Sequence, residues 1–459
     1  MQLTVCGFGG AGSRLADRLV AESETGGEPF VVASVAFDTD PATLAELEWI
    51  PAPHRHHYGD GVLGTLSEDD FASGEFAPGG GSDDSADEHL NGGETADAAA
   101  TAVNDTAADT VGDTGGAVDD TGGDMDRQQG AAAVESAHTA LSQALTDAIS
   151  TQADGVLCCV GLAGATGATA VPPLVSELQR VHDLPVYCLG LLPAETVEAD
   201  GVASDRGGAG RTDRRSTGSA AFDPSGAERN RSAPAGPPTW AVNTGRALEE
   251  LTVATDSVIL FDNALWMQSD ESIRDDDVRR RLNDAVATRV ASVFRAGEVG
   301  TDDRMAQQVV DAADLMNTLD AGGVATIGYA SQTVETGDRS RFGLGLFTTE
   351  QSVEDTAAIK AVETTVRRAA RGKLTVDIER DSVSRGLLVI GGPPEWLNRQ
   401  AVSHARRWLT DETATVQLRS GDRPVPDGNA VTAVVLLTGV EECDRVDAMR
   451  SAAEQARRL

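Results

Sequence analysis

The chain has 459 residues, 40% of them hydrophobic, which is enough for two or three domains around a sizeable core. Its formal net charge is -36, from 73 acidic and 37 basic residues, and only two of the basic residues, Lys360 and Lys373, are lysine. This balance disfavours nucleic-acid binding, which needs a basic face. It suits a solvated acidic surface in very high salt, where repulsion is strongly screened; a basic protein partner is the competing explanation.

Residues 2–64 read as strand, glycine turn, helix and strand. LTVCGF is a short apolar run, SRLADRLVAESE repeats apolar residues at helical spacing, and FVVASVAFD is apolar and β-branched. Such alternation implies a parallel sheet covered on both faces. Residues 65–129 break the pattern: seventeen Asp or Glu stand against one basic residue, Arg127. Too little apolar surface is present to offset the entropy of ordering, so the segment is predicted to be disordered. A helix follows over 130–150, then a buried strand (DGVLCCVGLAG). ATAVPPLVSELQRV is predicted helical after its prolines, and PVYCLGLL is a strand. Residues 199–238 form a second low-complexity segment, read as a long loop.

Next come a helix (TWAVNTGRALEELTVAT), a strand (DSVILFDN) and a long helix from Ser272. Ser272 is its expected cap, with Asp275 three residues on, and its core face runs Val278, Leu282, Val286, Val290, Val293. This helix is the natural joint between two domains. From about residue 305 the chain reads as α+β. Its strands are GGVATIGYAS, GLLVIGGP and AVTAVVLLTGV, interleaved with three amphipathic helices.

The five cysteines lack zinc-ligand spacing, and four sit in apolar runs. Buried reduced thiols, and so a reducing cytoplasm, are expected. Met1 leads directly into a strand-like segment, unlike a secretory leader, and no run is long enough to span a membrane. His54, His56 and His57 are expected in an exposed loop, since their flanks lack further metal ligands. No metal centre is predicted.

Three motifs carry chemistry. Gly7-Phe8-Gly9-Gly10-Ala11-Gly12 follows a strand and opens a helix, so its backbone can approach a phosphate beside free N–H groups. The pattern is GxGxxG, and Asp38 closes the second strand near where a dinucleotide fold places its ribose acid. A second small-residue loop, Gly161 to Thr169, follows another strand. Two such loops can hold one nucleotide from two sides. The third motif is Asp311 and Asp314 at a helix entrance, a spacing that lets both carboxylates face one water. Helix-dipole acids explain the same pair without chemistry.

In this order, GFGGAG, FDTD, the GATGAT loop, DSVILFDN and VVDAADLMNTL…GGVATIGYAS resemble the tubulin/FtsZ superfamily. The C-terminal stretches RAARGKLT, LLVIGGPPEWLNR and DRPVPDG are similar to its haloarchaeal CetZ branch, tubulin-like proteins involved in cell shape. The resemblance implies a parallel-sheet α/β GTPase domain over 1–270, with the two low-complexity segments as insertions. A central helix over 271–300 joins it to a smaller α+β activation domain over 301–459. It implies GTP or GDP as ligand, with Mg2+ a candidate companion ion. Self-association head to tail in the cytoplasm follows, with paralogous members as further candidate partners.

Position by position, the resemblance assigns the phosphates to Gly9, Gly10, Ala11, Gly12, Ser13 and Arg14, and the second nucleotide loop to Asp38. The terminal phosphates fall to Gly164, Ala165, Thr166 and Gly167. Asn243 meets the ribose or base, and Asn283 the guanine. Asp311 and Asp314 act on the neighbouring subunit's nucleotide. A loop glutamate is assigned to Glu198, with Glu195 the alternative.

The family's second loop usually reads GGGTGSG, and here Ala163, Ala165 and Thr169 replace three glycines. If such a glycine needs positive φ, a Cβ costs about 1–2 kcal/mol, and slow turnover is expected. A hydrolysis-poor structural or regulatory member is therefore one alternative. An NAD-dependent oxidoreductase is another, though no catalytic His, Tyr–Lys or Cys arrangement is evident. The acidic insertion sits where the family senses the terminal phosphate, and is expected to limit assembly by charge repulsion; an inert solvated loop is the simpler account.

Overall fold

The computed structural model of the chain describes residues 1–25, 29–59, 64–65, 123–197, 203–204, 236–296, 309–335, 355–413, 415 and 417–459. Most of the two low-complexity segments, and Glu198, lie outside these residues.

The strands are β1 (Leu3–Phe8), β2 (Val31–Asp38), β3 (Arg55–His57), β4 (Gly64–Thr65), β5 (Gly155–Gly161), β6 (Val186–Leu192), β7 (Thr196–Val197), β8 (Ala203–Ser204), β9 (Ser257–Asp262), β10 (Val324–Thr333), β11 (Arg385–Gly392), β12 (Gln417–Pro424) and β13 (Ala430–Val440). Eleven of them form one sheet in the order β12-β11-β13-β10-β9-β6-β5-β1-β2-β3-β4. Its N-terminal half, from β9 to β3, is parallel, while β13 runs antiparallel to both β10 and β11.

The helices are α1 (Gly9–Thr25), α2 (Pro41–Ala45), α3 (Gly123–Ala148), α4 (Ala165–Val181), α5 (Thr239–Ala254), α6 (Asn263–Trp266), α7 (Asp276–Ala296), α8 (Ala312–Leu319), α9 (Asp355–Arg371), α10 (Arg399–Thr413) and α11 (Asp444–Arg458). The two faces of the sheet carry separate apolar cores. One holds α3, α4, α5, α9, α10 and α11; the other holds α1, α7 and α8. The continuous apolar runs of β1, β5, β6 and β9 follow from this double covering. Among the described residues no helix is long and apolar enough to cross a membrane.

The joint between the halves is narrow. β9 and β10 pair only at Val258 and Ile259. Beyond that point the strands part and Thr375 fills the gap, accepting from the Asp262 N–H at 2.8 Å and donating to the Ile327 carbonyl at 3.0 Å. Trp266 closes the same joint. Its Nε1–H donates to the Leu374 carbonyl at 3.0 Å, and Arg289 and Lys373 stack on its ring at 4.1 and 4.7 Å. α7 lies across the joint, with Val278, Leu282, Val286, Val290 and Val293 buried as their spacing predicts.

Several sequence expectations are corrected. α3 begins at Gly123, not at 130, because Arg127 is buried through an ion pair with Glu250 at 2.7 Å and not through apolar periodicity. α4 starts before its prolines and runs through Pro172 and Pro173; burial of Ala168, Val171, Leu174, Val175 and Leu178 outweighs the missing N–H groups. Ser272 does not cap α7. Its hydroxyl accepts from Arg274 N–H at 3.2 Å in a preceding turn, and Asp275 accepts from Asp277 N–H at 2.9 Å at the helix start. His56 and His57 lie in a short strand, β3, between β2 and β4, where His56 stacks on Phe37 with centroids 5.3 Å apart. β12 is an additional strand, hidden by its polar sequence LRSGDRP.

Candidate functional site

β1 passes into α1 without a loop, because Gly9 takes φ +69, a left-handed conformation that costs glycine little. A Cβ on Gly9 would lie 3.2 Å from the Gly167 nitrogen. A Cβ on Gly167 would in turn lie 2.9 Å from the Phe8 carbonyl carbon. The two glycine turns therefore pack backbone against backbone, one at the end of β1 and one beyond β5. Their glycines are needed for this approach whether or not a ligand is bound.

Together the turns floor a cavity of about 620 Å³ outside the carboxyl ends of β1, β5, β6 and β9. Seven expected residues line it: Gly9, Ala11, Arg14, Gly164, Thr166, Gly167 and Asn283. α4 opens on it through Gly164, whose φ of -75 and ψ of 149 are extended and which offers no side-chain cap. The first N–H groups of α4 thus face the cavity without an intrahelical partner, an arrangement suited to an anion. Arg14 stands at the rim, held by the Thr43 hydroxyl at 3.2 Å and Glu46 at 3.1 Å.

The other expected residues lie behind or beyond this wall. Gly10, Gly12 and Ser13 are buried in the first turn of α1, and Ala165 is the first residue of α4. Asp38 is buried and accepts from the N–H groups of Thr39 at 2.7 Å and Asp40 at 3.3 Å. It shapes the turn that brings the Thr39 hydroxyl 3.4 Å from that of Thr166. Asn243 is buried within α5. Tyr58 donates to the Thr166 carbonyl at 3.4 Å, and burial, aided by the nearby Asp38 charge, pushes its phenol well above the ordinary range.

Four polar wall residues were not assigned from sequence or were only the alternative: Glu195, Asn263, Arg274 and Arg279. Asn263 follows directly on β9, and its Nδ2 donates to the Leu192 carbonyl at 2.9 Å. Its position at a strand's carboxyl end was the available signal.

The replaced glycines prove mild. Ala165 and Thr169 lie in α4, where a right-handed backbone accepts a Cβ, and the Thr169 hydroxyl donates to the Ala165 carbonyl at 2.6 Å. The expected left-handed strain is absent at both. Of the three replacements only Ala163 lines the cavity.

The acid pair is elsewhere. Asp311 caps α8, accepting from Asp314 N–H at 2.8 Å, and Asp314 pairs with Arg419 of β12 at 3.2 Å. α8 borders a second cavity of about 400 Å³ with Pro185, Tyr187 and Asp256, the residues that begin or precede β6 and β9. The seven residues of β6 separate this end from the glycine turns by about 20 Å. Pocket and acid pair stand at opposite ends of one sheet.

Comparison with known proteins fits this geometry. The tubulin-like protein CetZ5 of Haloferax volcanii is 30% identical over 459 residues, covering 99% of this chain and 92% of the relative. The chain belongs to the CetZ family of tubulin-like proteins. A model of the tubulin-like CetZ C-terminal domain matches residues 270–455. Among solved structures, the GTPγS-bound protofilament of CetZ2 from Haloferax volcanii is 25% identical with a TM-score of 0.66, covering 100% of this chain and 99% of that one. The GDP-bound monomer of CetZ1 from the same organism is 24% identical with a TM-score of 0.67, covering 100% of both.

Proposed function

We propose that this CetZ protein binds a guanine nucleotide in the 620 Å³ cavity and assembles head to tail into filaments, hydrolysing the nucleotide where two copies meet. One observation carries the reading. The pocket and the acid pair lie at opposite ends of the same sheet, too far apart to serve each other within one copy. A head-to-tail contact is heterologous and open, and it would bring the acids of one copy to the pocket of the next. The relatives of known structure support the reading, one described as a GTPγS-bound protofilament and another as a GDP-bound monomer.

The residues fit a nucleotide. The uncapped start of α4 and the first turn of α1 suit the phosphates, with Arg14 at the rim. Asn263 and Asn283 offer amides at the start of α6 and on α7, suited to a base. Mg2+ would be carried largely on the phosphates and water, since Glu195 is the one carboxylate on the cavity wall among the described residues. Asp311 and Asp314 would orient the attacking water, and such a reaction asks for positioning and charge, with no covalent step on the protein. Asp38, spent on backbone N–H groups and away from the wall, argues against a dinucleotide's ribose at this site. We assign the filaments a cytoskeletal role in the cytoplasm, in control of cell shape.

Phosphate release and sedimentation with GTP in molar KCl test the reading. Asp311→Asn keeps an acceptor for the helix cap and removes the charge, so it should fold and bind GTP while losing release. Tight binding without release by the unsubstituted chain would instead favour a structural, hydrolysis-poor member. Unchanged release by the Asn variant would remove the acid pair from the mechanism.

A further inference from the structure

The last helix of the chain touches the loop that walls the cavity. α11 packs on α5 so closely that a Cβ on Gly245 would collide with the Met449 carbonyl. At its first turn Arg445 extends to the wall loop that follows β6. Its Nη2 donates to the Pro193 carbonyl at 2.9 Å and also to the Glu195 carbonyl. Its Nε lies 3.5 Å from the Asp262 carboxylate. Asp262 in turn caps α6 by accepting from Ala264 N–H at 3.1 Å, and α6 carries Asn263 on the cavity wall. Both partners of the ion pair are nearly buried, with side chains 13% and 9% exposed.

Three carbonyls of one loop are thereby held from two directions. Asn263 takes that of Leu192, and Arg445 takes those of Pro193 and Glu195. The planar guanidinium matches this geometry: several N–H groups diverge from one rigid fork, and charge-assisted bonds to carbonyls are stronger than neutral ones. One side chain from the C-terminal helix therefore fixes both the Leu192–Glu195 wall and the cap of the helix bearing Asn263.

We propose that Arg445 is a positioning residue for the nucleotide pocket, linking occupancy of that pocket to the C-terminal helix α11. The inference rests on the guanine-nucleotide reading of the cavity. The link runs through α11 and the loop after β6. If the loop and α6 are ordered by Arg445, nucleotide binding must in return strengthen the hold on α11, because coupling between two sites is reciprocal.

The test removes the guanidinium without stranding a buried charge. Asp262→Asn alone retains the helix cap and the Arg445 bonds to the loop carbonyls, and its affinity for a fluorescent GTP analogue sets the reference. Adding Arg445→Met, which keeps an apolar stem and removes the donors, should lower affinity about tenfold. Hydrogen exchange supplies a readout that a purely structural arginine would not move. The analogue should protect amides of 443–450 in the Asp262→Asn protein and leave them unprotected once Arg445→Met is added. Equal affinity and equal protection in the two proteins would overturn the inference and leave the pocket reading standing. Absence of guanine-nucleotide binding by the unsubstituted chain would end both.

Discussion

Gly167→Ala is the sharpest single perturbation of the site. The added Cβ would stand 2.9 Å from the Phe8 carbonyl carbon and 3.0 Å from Val160 Cγ2, with the Phe8 oxygen nearer still. Ordinary contact begins at 3.4 Å, so relief requires a movement of roughly half an ångström to 1 Å. Two of the three clashing atoms are backbone at the end of β1, so no side-chain rotation can absorb it. The first turn of α4 must move away from the start of α1, separating the two glycine turns. Overpacking of this kind costs about 1–3 kcal/mol in stability. The functional cost should be larger, because a 1 Å misplacement of positioning groups costs on the order of a hundredfold in rate. Chemical denaturation in molar KCl reads the first quantity and phosphate release the second. Unchanged stability together with wild-type release would refute the claim that the two turns are locked by close backbone packing.

Restoring glycine at Ala165 and Thr169 should not speed turnover. Each change should lower stability by about 0.5–1 kcal/mol, since both sites are helical and glycine is a poor helix former; denaturation midpoints and release rates check this. Burial holds the Asp262 carboxyl above its ordinary range, with Arg445 opposing the shift. The folded chain thus keeps that proton to higher pH than the unfolded chain, so the contribution favours folding at low pH and is lost as pH rises through the folded value. Asp262→Asn should flatten this part of the stability profile on the high-pH side of the ordinary Asp value of 3.8, measured as denaturation midpoints. Trp266→Phe removes the bond to Leu374 and weakens stacking with Arg289 and Lys373. It should cost about 1–3 kcal/mol, seen as a lowered unfolding midpoint.

Much of the fold was legible because burial leaves a periodic trace. The apolar runs of β1, β5, β6 and β9 and the valine ladder of α7 stand where the pattern placed them. The misreadings fall where something other than apolar periodicity holds the chain. Arg127 buries through a charge pair, α4 tolerates two prolines under core packing, and β12 presents mostly polar residues at an edge. The site was legible where a glycine pattern announced it. Asn263 and Glu195 carry no such pattern, and they join the pocket only through the parallel stacking of β6 and β9. Arg445 stands 250 residues from the loop carbonyl of Glu195 that it holds, a separation no local spacing rule can bridge.

One copy's acid pair should complete its neighbour's pocket, and mixing two variants reads this out. Asp311→Asn retains a pocket and lacks a full acid pair, whereas Gly167→Ala retains the acids and has a displaced pocket. Each should release little phosphate alone. In an equal mixture about a quarter of head-to-tail contacts would join an intact pocket to an intact acid pair. Phosphate release from the mixture should therefore rise well above the sum of the two proteins alone. Release that stays at that sum, while both variants still sediment together with GTP, would mean that the acids of one copy do not serve the pocket of the next.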